Sequence, residues 1–432
     1  MNGKLFTQMK NEWKSNVGLA VELFIVSVVL WFIADTLYGS LVYKVEPTGS
    51  DIEHVYQLKV DFLGEDHPRY VENSSSAYDL RELLARLRRH PGIEAAAVAQ
   101  VGAAPYSRSG SWSGVEVLVA PGDTAVFGVN GELSIRTVTI TPEFPRVFRM
   151  KGVRGETPEQ LGEIIARGEV IAGVNIHTSV DSAHAGGNAL DFIGKPYLRY
   201  NYDGSIAHQR LGALVEDVKR SDYDPLAVSG YLAWPMQESD DDAMDGYNEI
   251  FIRVTEAADG REFVKSFRDN MATEFSIGNL YVNDIVSMDS VRDSYLAEQD
   301  KVAMRLFLVM GFLLVNVFLG LLGTFWFRTR RRTSEIAVRM VNGATRGSIF
   351  RRLVSEGMLL LMIVTPLAVL TDWLIRYNNL VISNEHDYFS YGRLWFCIGV
   401  VFVLMALMIV AGTSLPAFAA TKVRPAIALH DE

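Results

Sequence analysis

The sequence is poor in the residues that most chemistry needs. It holds a single cysteine, Cys397, among 432 residues, which excludes an internal disulfide and any paired-cysteine zinc site. No G-x-x-x-x-G-K-[ST] loop occurs, so the chain has no usual cradle for nucleotide phosphates. No H-E-x-x-H pair is present. The one near match to a G-x-S-x-G elbow, Gly110-Ser111-Trp112-Ser113-Gly114, places tryptophan where the nucleophile must stand. Asp240, Asp241, Asp242 and Asp245 precede Gly246, but an EF-hand register from Asp241 puts Ala243 at a ligand position. That run reads as a solvated acidic loop. The eight histidines are scattered, and none is assigned to a metal. No catalytic residue and no resident cofactor is expected.

Apolar residues, in contrast, gather into four runs long enough to cross the roughly 30 Å hydrocarbon core of a bilayer. The first runs from Val17 to Ile33 with a less apolar tail to Tyr43, and contains Glu22. It is too long for a typical signal peptide and no small-x-small site follows it. The second, Leu306 to Phe327, has no charge at all. The third, Leu353 to about Ile375, contains Glu356, Pro366 and Asp372. The fourth, Leu394 to about Ala420, contains Cys397. Charges inside spans are costly. Glu22 is expected to bond to a neighbouring helix, whereas Asp35, Arg305 and Asp372 lie nearer span ends and read as interfacial residues that snorkel.

The charge distribution orients these spans. Residues 1–16 carry Lys4, Lys10 and Lys14, and the tail carries Lys422 and Arg424. The connection between spans two and three carries Arg328, Arg330, Arg331, Arg332, Arg339, Arg346, Arg351 and Arg352. Residues 44–300 hold 24 Lys and Arg against 41 Asp and Glu, a balance of −17 in a chain of net −10. Short basic flanks stay in the cytoplasm. Both termini and the arginine-rich connection are therefore expected inside, and the acidic segment outside. Such an acidic domain excludes a nucleic-acid partner.

The predicted organisation is a cytoplasmic interfacial helix at 1–16, span one at 17–43, an extracytoplasmic domain at 44–300 and span two at 301–327. A coupling helix and loop occupy 328–352, span three 353–375, an outer loop 376–393, span four 394–420 and a cytoplasmic tail 421–432. The fold class is an α-helical membrane domain of four transmembrane helices with an α+β domain inserted between helices one and two. In the N-terminal segment Leu5, Phe6, Met9 and Trp13 recur at helical spacing, and Trp13 is expected at the membrane interface.

Within the large domain, Ile52 to Phe62 alternates like a half-buried strand. Ser74, Ser75 or Ser76 can cap a helix through Arg89, with Leu80, Leu83, Leu84 and Leu87 along one face. Ile93 to Val101 returns as a strand, completing a βαβ unit. The pattern recurs as strand Ile250 to Val254, helix Arg261 to Glu274 and strand Asn279 to Val286. Between the two units, residues 121–245 carry turn and strand signals, with Thr137 to Ile140, Val170 to Val174 and Leu211 to Val215 as candidate strands. Residues 287–305 are predicted to form a helix that continues into span two.

The connection between spans two and three has the pattern of a short lever. Ser334 or Thr333 can cap a helix on which Glu335 and Arg339 stand four apart, while Ile336 and Met340 line another face and could enter a groove on a partner. Gly343 stops that helix, Ala344 follows, and Thr345 can cap the next. Arg328, Arg330, Arg331 and Arg332 are expected to anchor the loop at anionic headgroups.

Arg331 through Thr345, read together as a basic helix and turn, resemble the segment that follows the second span in MacB/FtsX-type ABC transporter permeases. Gly320-Leu321-Leu322-Gly323 resembles the Gly-Leu-x-Gly run that precedes it, and Ser348, Ile349 and Glu356 follow at similar spacing. Thr141-Pro142-Glu143-Phe144 with Val147 is similar to an x-P-x-Tyr/Phe segment of the family, Ile193-Gly194-Lys195 to its I-G-K turn, and Arg424, Pro425, Ala426, Ala428 and Leu429 to its C-terminal ending. The resemblance implies a permease dimer, of identical or related subunits, whose coupling helix docks on a separate cytoplasmic ATPase that binds the ATP and Mg. It implies a bacterial inner-membrane location and a periplasmic domain with porter-like parts at 44–120 and 246–300 and a Sabre-like insertion at 121–245. A membrane-fusion adaptor and an outer-membrane channel are further implied partners. Because the chain starts 16 residues before the first span, it is similar to separate permeases such as FtsX, LolC and LolE. Two functions fit: export of a periplasmic substrate by mechanical transmission, or FtsX-like signalling that regulates a periplasmic hydrolase or senses a peptide without transport.

Overall fold

The structure, a computed structural model, describes residues 13–127, 135–179, 188–200, 205–224, 226, 230–244, 247–378 and 390–421. Most of the predicted interfacial helix 1–16, most of the loop 376–393, Asp245 and Gly246, and the Arg424–Leu429 motif lie outside the described residues. The chain divides into two compact units, a sheet unit Val42–Glu298 and a helical unit made of Met1–Leu41 and Gln299–Glu432.

Helix α1 (Trp13–Leu41) opens the described chain and belongs to the helical unit. The sheet unit begins with β1 (Val55–Phe62), α2 (Ser76–Arg89) and β2 (Ile93–Ala99). Of the three candidate serines, Ser75 caps α2, its hydroxyl accepting from the Tyr78 amide at 3.3 Å. All four leucines of the predicted face are buried. The chain continues through β3 (Ser111–Ser113), β4 (Val115–Ala120), β5 (Asp123–Phe127), β6 (Ile135–Ile140), α3 (Phe144–Val147), α4 (Pro158–Ala166), β7 (Val170–Gly173), β8 (Pro196–Tyr200), β9 (Ile206–Val215) and β10 (Tyr231–Pro235). It closes with β11 (Glu249–Val254), α5 (Arg261–Glu274), β12 (Ser276–Ile277) and β13 (Leu280–Ser287).

Strand order explains how two distant βαβ units make one body. In β13-β1-β11-β2 each neighbour is antiparallel, so β1 and β2 run parallel with β11 between them, and β11 and β13 run parallel with β1 between them. This is the split β-α-β-β-α-β arrangement, in which each crossover helix covers the same face of the sheet. The leucines of α2 and Phe263 and Phe267 of α5 share one apolar cluster with Tyr56, Leu58, Ile250 and Ile252. The segment between the units adds β6-β10-β7-β9-β8-β4-β5 to the same ladder, joined to β2 at the single registered pair Ala99↔Ile140. Thr141-Pro142-Glu143 leads into α3, whose Phe144 and Val147 are buried with Phe148 and Phe251. Gly194 takes φ +85°, which only glycine adopts without strain, and turns the chain into β8.

Helix α6 (Met288–Arg331) is a single helix of 44 residues, about 66 Å at 1.5 Å per residue. It is followed by α7 (Thr333–Val341), α8 (Arg346–Tyr377) and α9 (Tyr391–Thr421). Four helices, α1, α6, α8 and α9, are long and apolar enough to cross a membrane. Leu23, Leu30, Trp31, Leu321, Phe325, Leu361, Met405 and Ile409 form their shared core, while Phe312, Leu319 and Trp395 stay exposed as lipid-facing side chains do. Gly412 permits the close approach of α9 to α6: a Cβ there would meet the Leu321 Cβ at 2.9 Å and the Phe318 carbonyl at 3.2 Å.

Candidate functional site

Three polar constellations stand out against this apolar background. The first is the elbow between α6 and α8. The Ala344 amide donates to the Arg339 carbonyl at 3.0 Å and the Gly343 amide to Met340 at 3.1 Å, the pair of bonds that defines a Schellman stop. Gly343 has φ +90°, as its place in that motif requires. Thr345 then caps α8, its Oγ1 accepting from the Ser348 amide at 3.3 Å. The start of α7 differs from expectation. Arg332 occupies the cap position without a side-chain bond, because a guanidinium has no acceptor to offer a first-turn amide; its own amide donates to the Arg328 carbonyl and its carbonyl accepts from the Ile336 amide. Neither Thr333 nor Ser334 is the cap residue, since α7 follows α6 with a single residue between them.

The faces of α7 are assigned by its neighbours. Ile336 is 7% exposed and packs with Ile349, Leu353 and Ala417, joined by the half-buried Met340 and Phe350. The expectation that Ile336 and Met340 enter a partner's groove is therefore corrected: their apolar surface is already covered by α8 and α9. The apolar residues left outward are Val338, 45% exposed, and Val341, 64% exposed. Beside them Arg339 donates to Glu335 Oε1 through Nη2 at 2.5 Å and Nε at 3.1 Å. Both charged side chains are well exposed, so this pair adds only about 0.3–0.5 kcal/mol to the helix. Its value lies in presenting ordered charge.

The arginines before the elbow divide into two groups. Arg328 and Arg332 point at Glu356 of α8, with Nη1 to carboxylate distances of 3.3 and 3.4 Å, and Glu356 is 4% exposed. These two cations neutralise a buried carboxylate, a use that the headgroup reading does not include. Arg330 lies over the Trp326 ring at 5.7 Å, and Arg331 is exposed.

The second constellation lies within the bundle. Arg393 of α9 grips Asp35 of α1 through Nε at 2.8 Å and Nη2 at 3.1 Å, donates also to the Asp35 carbonyl, and stacks on Tyr38 at 5.4 Å. Asp35 and Asp372 are each 3% exposed. The snorkelling expected of them is thus corrected, while Arg305 is exposed. Burial of Asp35 is made tolerable by Arg393, the last residue of the predicted outer loop 376–393. Glu22 Oε1 lies 2.5 Å from where a Gly320 Cβ would stand, so α1 and α6 meet at the first glycine of the Gly320–Gly323 run.

The third constellation ties the sheet unit's entry and exit segments to one loop. Lys219 is buried and donates through Nζ to the Tyr43 carbonyl at 2.7 Å, with Glu46 at 3.6 Å. Burial, opposed by the Glu46 charge, lowers its proton affinity. Asp222 accepts from the Tyr106 hydroxyl at 2.8 Å and from Arg292 of α6 at 2.6 Å. Burial first, and then the Asp222 bond, pushes the Tyr106 phenol up. Nothing in the sequence flags Asp222 except charge beside the apolar strand β9. Among the described residues no group of three or more His, Cys, Asp or Glu is placed to hold a metal. In the acidic run Asp241 pairs with Arg81, and Asp240 accepts from the amides of Asp242 and Ala243.

Four membrane-length helices with a glycine-closed basic elbow between the second and third define a polytopic membrane protein. Residues 307–425 match the FtsX-like permease C-terminal family. The resemblance read from the elbow motif falls inside that segment.

Solved structures similar to the chain include three domains. A domain of a putative permease protein from Porphyromonas gingivalis is 11% identical, with 56% of this chain and 92% of that one covered at a TM-score of 0.33. The periplasmic region of MacB from Actinobacillus actinomycetemcomitans is 11% identical, with 58% and 96% covered at 0.32. The extracellular domain of the noncanonic ABC-type transporter YknZ from Gram-positive bacteria is 10% identical, with 53% and 100% covered at 0.28. No curated protein sequence matches the chain.

Proposed function

We propose that this chain is the permease subunit of an inner-membrane ABC transporter. It couples a separate cytoplasmic ATPase, which carries the ATP and Mg, to rearrangement of a periplasmic domain and export of a substrate from the periplasm. The chain itself performs no catalysis. The observation that carries this reading is the elbow: α7 is held rigidly to α8 and α9 by Ile336, capped at Gly343, and presents Glu335, Val338, Arg339 and Val341 outward within the segment that matches the permease family.

A motor can move a bundle only through an element that does not yield. The Ile336 cluster and the Arg328-Glu356-Arg332 clamp fix α7 against α8, so a push on α7 is delivered to a helix of membrane length. The arginine-rich connection faces the cytoplasm in this reading, with both termini on the same side and the acidic sheet unit outside, divided into porter-like parts and a Sabre-like insertion. A second permease, identical or related, completes the ATPase-binding pair, and an adaptor and outer-membrane channel extend the path.

The test is co-purification and ATPase stimulation with the partner ATPase. Val338→Asp combined with Val341→Asp is expected to abolish both while the permease remains folded. Unchanged association with that double variant overturns the docking surface. Labelling of a cysteine placed at Val341 only from the periplasmic side overturns the orientation. Stimulated ATPase without substrate movement in vesicles replaces export by signalling.

A further inference from the structure

Two arginines of the sheet unit are buried and treated in opposite ways. Arg253 is 0% exposed and spends its guanidinium fully, donating through Nε to Val147 at 2.6 Å, through Nη1 to Glu53 at 2.9 Å and through Nη2 to Asp51 at 2.7 Å, all carbonyls. Arg136 is 4% exposed, and neither its Nη1 nor its Nη2 has a hydrogen-bond partner among the described residues. A buried cation left in that condition is among the most expensive arrangements in a protein.

Its surroundings are built rather than accidental. Arg136 stands in β6 directly opposite Tyr231 of β10 and Trp112 of β3. Its guanidinium lies over the Tyr231 ring at 5.2 Å. Tyr231 is 0% exposed, and its hydroxyl has no hydrogen-bond partner among the described residues. Arg220 lies over the Trp112 ring at 5.2 Å and the Tyr295 ring at 5.9 Å. Its buried Nε lacks a hydrogen bond, with Asp224 Oδ2 4.0 Å away. Of the nearby carboxylates, Asp222 is taken by Tyr106 and Arg292, while Asp224 accepts from the Ser221 amide at 3.0 Å and is the one carboxylate left among the described residues to offset Arg220. Burial is the largest influence on Arg136 and lowers its proton affinity; the charges of Tyr231 and Asp224 oppose that, and the like charge of Arg220 adds to it.

We propose that Arg136, Tyr231 and Arg220 form an oxyanion-binding site in the sheet unit, for a carboxylate or phosphate that is free or carried on a lipid headgroup. The planar guanidinium fork fits two oxygens of such a group at once, and the phenol supplies a third donor. A bound water would satisfy donors but add no negative charge beside two guanidinium groups that share the single carboxylate of Asp224. Trp112, Tyr231 and Tyr295 exclude solvent and so strengthen the charge interaction. The thinnest cover is the three-residue strand β3, whose Ser111 and Ser113 are exposed. This site is independent of the coupling elbow and stands whether the chain exports or signals.

The experiment uses the full chain in a neutral detergent. Thermal unfolding and hydrogen exchange of residues 135–140 and 231–235 are followed as sodium phosphate or sodium acetate replaces chloride at constant ionic strength. A second arm uses nanodiscs of phosphatidylcholine with and without phosphatidylglycerol. An oxyanion is expected to raise the unfolding temperature and slow exchange. Arg136→Met is expected to lose that response and Tyr231→Phe to weaken it about tenfold. A response to the soluble anions identifies a free ligand, and a response to phosphatidylglycerol alone identifies a headgroup. No response in either arm, or the same response in Arg136→Met, overturns the site. Tyr231→Phe removes one oxygen and keeps the ring, so it decides the matter if Arg136→Met does not fold.

Discussion

The amide of Ala344 reaches back to the carbonyl of Arg339 at 3.0 Å, across a glycine held at φ +90°. A Cβ at position 343 meets no atom within 4 Å, so the demand for glycine there is conformational alone. Gly343→Ala is expected to cost about 1–2 kcal/mol of elbow stability without changing α7's contacts. Unfolding of the purified permease measures this, and a neutral or stabilising result removes the Schellman stop as the determinant of the bend.

Ile336 and Val338 are two positions apart and differ in what they touch. Ile336→Ala empties a place among Ile349, Leu353 and Ala417 and is expected to lower stability by about 2–4 kcal/mol. Val338→Ala trims a side chain that is 45% exposed and should stay within about 0.5 kcal/mol. The two should exchange places in an ATPase-binding assay, with Val338→Ala the weaker binder. Equal losses of stability would remove the assignment of faces.

Glu356 answers two cations at once. Glu356→Gln removes the buried negative charge that Arg328 and Arg332 share, with an expected loss of about 3–5 kcal/mol. Arg331→Gln, on the exposed side of the same turn, should be silent to within about 0.5 kcal/mol. Chemical denaturation in detergent compares them, and a silent Glu356→Gln would show that the clamp carries no weight.

The sheet unit should have an acid limit set in part by Asp259. Burial works to raise this carboxyl, but hydrogen bonds from Tyr56 at 2.5 Å and His54 at 2.6 Å prevail, and its proton affinity is lowered. A carboxylate depressed in the folded state contributes stability above its unfolded pKa, about 3.9, and loses it as pH falls through the lower folded value. Unfolding followed from pH 6 to pH 2 should show a loss below about pH 4 that Asp259→Asn lacks. Parallel profiles for both proteins contradict this.

What could be read from the sequence follows from how local each signal is. The apolar runs depend on composition alone, and the four long helices appear near the predicted places, α8 starting at Arg346 directly after Thr345 and so extending ahead of the apolar run from Leu353. The leucines of α2 and the recurrence at β11-α5-β13 fixed both crossover units by period. The Schellman glycine and the Thr345 cap were equally legible, since each is decided within five residues. The faces of α7 were not. Ile336 with Met340 and Val338 with Val341 are equally good apolar stripes at helical spacing, and only Ile349, Leu353 and Ala417, brought in from other helices, choose between them. Asp35 and Arg393 were missed as a pair because 358 positions separate them. Arg136 reads as one basic residue in a β-branched strand until its neighbours show that neither Nη1 nor Nη2 has a hydrogen-bond partner among the described residues.

Cys397, 1% exposed between Leu394 and Val401 in the helical core, has a practical consequence. The native protein supplies no accessible thiol, so a maleimide probe attached at Val338, Val341 or Tyr247 reports from one known place without a cysteine-free background. Topology, distances between labelled positions and the motions of the elbow can all be followed in a polypeptide otherwise identical to the natural one.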